Sequence, residues 1–337
     1  MAKKPTKKKP KKATRSPKAK APAKKAARKA APKLKAVSPS HWIKILSSHG
    51  NVRGVAIQAT ALVRELAARH GNDGLYAQRW GEAAISGMVT ASNCKNGQRV
   101  NLNIRGSGHY QQALVDAYPD GRVRGYVVGR DIAYLGSKQT GDETGRWGTG
   151  VLSVLRTKEQ SGQAPYIGTV PLLTGHLAKD LTFYWHQSEQ TPSAVGIAVS
   201  TNAKGEITTA GGFMVQVLPG ASLEEVRSIE RNIQAIQSLA VVMANDEDPM
   251  HLLGHIFQDS TFAIVEKKKI YFQCECSRPR VERALMLVGV AELQAMLKED
   301  GNAVVTCDFC SKKYKMTAPQ LKGMIRSIQE HEEAKPR

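Results

Sequence analysis

The run VRGVAIQ at 52–58 is apolar and rich in branched residues, which predicts a strand. ATALVRELAARHG follows it, a string of good helix formers closed by Gly71, and AQRWGEAAISGMVTASNC predicts a second helix. Strand-like segments come next: RVNLNIRGSG, ALVDAYPDGRVRGYVVG, GTGVLSVLRT and APYIGTVPLL, separated by Gly-rich turns. HLAKDLTFYWHQSEQ reads as a helix. SAVGIAVSTNAKGEITTAGGFMVQVLPGA reads as a hairpin that turns at NAKGE. The pattern from 41 to 220 is therefore that of an α+β body with a mixed sheet.

Past Pro219 the period changes. SLEEVRSIERNIQAIQSLAVVMAN opens with the capping-box residues Ser222 and Glu225 and carries Val226, Ile229, Ile233, Ile236 and Leu239 at helical spacing. DPMHLLGHIFQD predicts a shorter helix with Pro249 in its first turn. Residues 221–268 are expected to form a helical linker that buries one face only, so its stability depends on its neighbours.

Charge changes the picture at the N-terminus alone. The chain has 337 residues and a formal net charge of +20, yet 16 of its 49 Lys and Arg residues lie before residue 41, where no Asp or Glu occurs. The remainder is nearly balanced, with 33 basic against 29 acidic side chains. Residues 1–40 are a Lys/Ala/Pro-rich tail expected to be disordered. Two readings of the tail stand side by side: non-specific contact with polyanions, and a solvated segment that aids solubility. No apolar run is long enough to span a bilayer, and the N-terminus lacks the apolar core of a secretory signal. A cytoplasmic location follows as the expectation, and with it reduced thiols.

The chemistry is concentrated near the C-terminal end. Four of the five cysteines occur as Cys274-Glu275-Cys276 and Cys307-Asp308-Phe309-Cys310. A strand IYFQCEC would turn both of its thiols to one side, and a CxxC knuckle converges two more. Two close pairs match a tetrahedral Cys₄ zinc site, with one Zn2+ stabilising a module at 269–330 that has little core of its own. Helices are expected at RVERALML and VAELQAMLKED, broken at Gly289 and ended by Gly301, with a strand at AVVTC. A plain structural zinc clip is one reading. The single-residue spacer of CxC favours a redox role, because a disulfide across it is strained and easily reduced. Arg278, Arg280, Lys312 and Lys313 flank the sulfurs and either lower their pKa or serve only as solvated surface charge. Cys94 stands alone and is expected to act as a small core hydrophobe.

With those residues in view, the chain resembles the heat-shock protein 33 (HslO-type) family of redox-regulated chaperones. NVRGVAIQAT, IRGSG with GRVRGYV, the stretch ending SEQTPS, AGGFMVQVLPGA, CECSRPRVERAL and EDGNAVVTCDFCSKKY carry the resemblance over about residues 42–325. The resemblance implies an ATP-independent holdase. Its Cys274, Cys276, Cys307 and Cys310 hold zinc when reduced, and form Cys274–Cys276 and Cys307–Cys310 disulfides on oxidation as zinc leaves. It further implies loss of structure in the linker, binding of unfolded client proteins, and a homodimer in the oxidised form. The basic tail departs from the family pattern.

Two other function classes fit the sequence less well. A zinc-containing nucleic-acid-binding protein would use the tail and a basic module, but residues 269–337 are of mixed charge. An enzyme is disfavoured. The nine histidines show no metal-ligand or triad spacing, His109 and Asp116 have no nucleophile partner, and RGSGH and GYVVGR do not continue to the Lys-Ser/Thr of a phosphate loop.

Overall fold

The computed structural model describes residues 37–72, 74–129, 147–158 and 164–333. The tail and its expected disorder lie outside the described residues.

Sheet A has the order β10-β1-β2-β9-β8 and is antiparallel throughout. Its strands are β1 (His41–Ser47), β2 (Val52–Gln58), β8 (Ser193–Thr201), β9 (Ile207–Val217) and β10 (Phe262–Lys269). Sheet B has the order β11-β5-β4-β3-β6-β7. It contains β3 (Gln98–Gly106), β4 (Tyr110–Ala117), β5 (Arg122–Gly129), β6 (Gly150–Lys158), β7 (Tyr166–Leu172) and the two-residue β11 (Tyr271–Phe272). Only the β11–β5 pair in it is parallel.

Helices α1 (Thr60–His70), α2 (Gly74–Ala91) and α3 (Leu177–Gln187) join one face of each sheet in the larger core. Trp80, Ala84 and Met88 of α2 meet Val100, Leu102 and Ile104 of β3 and Val55 and Ile57 of β2 there. Gly71 caps α1 at φ 64°, as the sequence predicts, and donates to the carbonyls of Ala67 and Ala68. The strand at 52–58 and the β8–β9 hairpin also form where expected. Sheet A is covered on its second face by α4 (Leu223–Ala235), α5 (Leu239–Asn245) and α6 (Pro249–Ile256). This explains the nearly unbroken apolar run of β2: Val55 and Ile57 point to one core, Val52 and Ala56 to the other.

The segment read as a helical linker differs from expectation in two ways. The long helix breaks at Ile236, because Ser238 starts a new one by accepting from Val241 N. The stretch from Phe262 is β10, which pairs with β1 through Trp42↔Lys268 and its neighbours. Of the capping box, Ser222 accepts from Glu225 N at 3.1 Å, but Glu225 Oε1 makes no return bond. Asp259 fastens this segment by accepting from Ser228 and Asn232, and Asn232 also donates to Ile256 O at 3.1 Å.

The C-terminal residues form α7 (Arg278–Met286), α8 (Val290–Glu299), β12 (Asn302–Thr306), β13 (Lys313–Thr317) and α9 (Ala318–Glu333). Gly289 separates the first two helices at φ 92°. The module has more core than expected. Tyr314 and Met316 of β13 and Leu321, Met324 and Ile325 of α9 close over Val281, Leu285 and Leu293. The sequence reading bounds the module at 269–330 but assigns no element after the AVVTC strand, so β13 and α9 are additions.

Candidate metal centre

The first cysteine pair leaves the edge of sheet B. Tyr271 N donates to Gly121 O and Gln273 N to Val123 O; the chain then departs from β5. The strand therefore ends at Phe272, and the expected strand through IYFQCEC is corrected: Cys274–Cys276 is irregular chain between β11 and α7. The second pair forms a tight turn between β12 and β13. Cys307 N donates to Lys312 O, while Cys310 N and Ser311 N both donate to Cys307 O, at 3.3 and 2.7 Å. Ser311 takes φ 58° to complete the turn, an uncommon left-handed position for a residue with a Cβ.

These two segments bring the four sulfurs within 4.8 Å of one another. Cys274 Sγ lies 3.8 Å from Cys307 Sγ, and Cys276 Sγ lies 3.4 Å from Cys310 Sγ. Sulfurs around a tetrahedral zinc at the usual Zn–S distance are about 3.8 Å apart, so the spacing and the all-sulfur donor set suit that ion. Among the described residues this is the one cluster with metal-ligand geometry. All five cysteines are free thiols. Cys94 lies elsewhere, packed against the larger core, and burial raises its pKa.

The four thiols are not equivalent. Burial raises Cys274 and Cys310, and bonds to neighbouring sulfurs add to the effect. Burial opposes ionisation of Cys276 as well. There, hydrogen bonds from Tyr314 and from the surrounding thiols outweigh it and bring the pKa down to about 7. Tyr314 Oη donates to Cys276 Sγ at 3.1 Å. Three of the four basic residues expected to do this have other partners. Arg280 binds Glu275, Arg278 reaches Lys315 O and Glu282, and Lys312 lies over the Tyr314 ring.

Sequence reasoning missed Tyr314, although an aromatic hydroxyl four residues past the knuckle was a legible signal. It also missed Glu275 and Phe309, the spacers inside the motifs, which face β5. His109 and Asp116 take structural positions. His109 packs edge-on to Tyr76 and Tyr110, and Asp116 binds Asn101 and Arg124. Among the described residues no helix is long and apolar enough to cross a membrane.

Comparison with known proteins places the whole arrangement. A family model described as Hsp33 protein matches residues 40–317. The 33 kDa chaperonin of Shouchella clausii is 32% identical over 289 residues, covering 85% of this chain and 97% of its own length. That of Geobacter sulfurreducens is 32% identical over 295 residues, covering 87% and 97%. The crystal structure of the 33 kDa chaperonin (heat shock protein 33 homolog) of Thermotoga maritima superposes with a TM-score of 0.77 at 29% identity, over 86% of this chain and 99% of that one. Together with the clustered cysteines, these matches show that the chain belongs to the Hsp33 family of chaperones.

Proposed function

We propose that this protein is a redox-regulated, ATP-independent holdase of the cytoplasm, with Cys274, Cys276, Cys307 and Cys310 as its switch. The observation that carries the reading is the convergence of four free thiols within 4.8 Å of one another, in a module that follows the short strand β11. In the reduced protein the four sulfurs would hold one Zn2+ as thiolates, and the ion would supply much of the module's folding free energy. Under peroxide stress each pair of thiolates gives up two electrons to a peroxide, which takes two protons from solvent. One disulfide forms per peroxide, which is reduced to two waters. The proposed bonds are Cys274–Cys276 and Cys307–Cys310. The 3.8 and 3.4 Å sulfur contacts run between the pairs, so pairing within each motif requires the cluster to separate.

Domain boundaries at 41–220, 221–268 and 269–330 follow from this reading. Loss of the module's support would loosen α4–α6, exposing the apolar face of sheet A to unfolding clients and to a second oxidised copy. The test is zinc release, followed with a chromogenic chelator during peroxide treatment at elevated temperature. Suppression of client aggregation is measured in parallel. Both should rise together and reverse with a thiol reductant. Zinc that stays bound, or leaves with no gain in client binding, overturns the switch.

A second activity is favoured by one observation. The family match begins at residue 40, and all 16 Lys and Arg residues ahead of residue 41 lie outside it. We read the tail as a separate polyanion contact, independent of the chaperone body.

A further inference from the structure

Both cysteine motifs place their spacer residues on the same patch of the body. Glu275, between the first two cysteines, accepts from Arg122 Nη1 at 2.9 Å and from Arg124 Nη1 at 3.4 Å. Phe309, between the second two, meets the Tyr126 ring edge-on with centroids 5.6 Å apart, and the Arg124 guanidinium lies 4.8 Å from its centroid. The carbonyl of Asp308 is 3.0 Å from His70 Nε2 at the end of α1. One guanidinium thus serves both motifs. Arg124 is also fixed from behind by Asp116 at 2.9 Å, and its side chain is only 11% exposed. It is aimed and largely dehydrated, the condition under which ionic and cation–π contacts count.

We propose that this patch is a docking seat, made by Arg122, Arg124, Tyr126 and His70, that holds the module down only while both cysteine pairs are held together. The inference rests on the reading of the four cysteines as a metal centre. The physical argument is one of linked binding. Either spacer alone makes only two side-chain contacts with the seat, Glu275 with Arg122 and Arg124, and Phe309 with Tyr126 and Arg124. When one ion joins the two motifs, Glu275 and Phe309 are carried at a fixed separation, so docking of one presents the other at high effective concentration. Separation of the pairs removes that advantage, and both contacts fail together. The consequence reaches β11, a two-residue strand that pairs with β5 and is flanked by bonds from Tyr271 N to Gly121 O and from Gln273 N to Val123 O. β11 follows β10 after one residue, so the seat restrains the end of that edge strand of sheet A as well.

The test is hydrogen exchange, read by mass spectrometry, on the reduced full-length chain with zinc content measured in the same samples. In zinc-loaded Phe309→Ala, peptides spanning 271–276 should exchange about tenfold faster than in the parent, the scale of one aromatic pair plus one cation–π contact. Zinc content should be unchanged, and Phe309→Tyr should behave as the parent. Glu275→Gln provides a second variant on the other motif and should act in the same direction. Stripping zinc from the parent should accelerate the same peptides at least as much. Unchanged exchange at 271–276 in zinc-loaded Phe309→Ala, or in the stripped parent, overturns the seat. A parent chain that retains no zinc fails earlier, at the metal centre itself, and is recognised by the zinc measurement.

Discussion

Phe257 is the side chain on which the covering of sheet A can be tested. It follows α6, is 1% exposed, and stacks its ring over Gly54 of β2. A Cβ at Gly54 would lie 2.9 Å from Phe257 Cε2 and 3.2 Å from Ile45 Cγ1, so the ring fills the space that a glycine leaves. Its other neighbour is Phe262, with centroids 5.8 Å apart. Truncating a buried Phe to Ala costs about 3–5 kcal/mol. Even about 3 kcal/mol multiplies the opening equilibrium of the covering segment roughly 150-fold. Phe257→Ala should therefore expose the sheet A face with the module reduced and zinc bound. It should bind an apolar-surface dye and suppress client aggregation without oxidant. Hydrogen exchange should speed up through α4–α6 while α2 stays protected. Gly54→Ala attacks the same contact from the opposite side and should act in the same direction. The reasoning fails if exchange in α4–α6 is unchanged. It fails equally if α2 loses protection in step with them, because the covering is then inseparable from the body.

Three further outcomes are expected. Burial lowers the pKa of His109, so folding favours its neutral form. The unfolded chain then binds more protons, and stability should fall as pH drops through about 6.5 towards the lowered native value; denaturant midpoints from pH 8 to 5 should fall less steeply in His109→Asn. Removing zinc from the reduced protein should melt α7–α9, seen as lost helical ellipticity, while near-ultraviolet signals of Trp80 and Trp147 in the larger core persist. Deleting residues 1–36 should abolish retention on duplex DNA without altering aggregation suppression. If about half of the tail's 16 charges contact phosphate, log affinity against log salt should slope at about −7 in the parent and near zero after deletion.

The sequence alone determined the features whose causes are local. The strand at 52–58, the Gly71-capped helix, the β8–β9 hairpin, the Pro249 helix and the break at Gly289 each follow from a few adjacent residues. The four cysteines were legible for the same reason: metal-type spacing is a short-range pattern, and it is the most specific part of the family resemblance. What tertiary structure decided are pairings between distant parts of the chain. FAIVEKKK becomes β10 because β1, more than 200 residues earlier, offers it an edge, and its own alternation is too weak to announce a strand. Tyr271 and Phe272 are a strand only against β5. The core of the C-terminal module exists because β13 and α9 fold back over α7 and α8. Glu275 and Phe309 read as mere spacers until β5 brings Arg122, Arg124 and Tyr126 against them. Periodicity reports which side of an element is buried; what covers that side depends on residues far away in the chain, and only the folded structure brings them together.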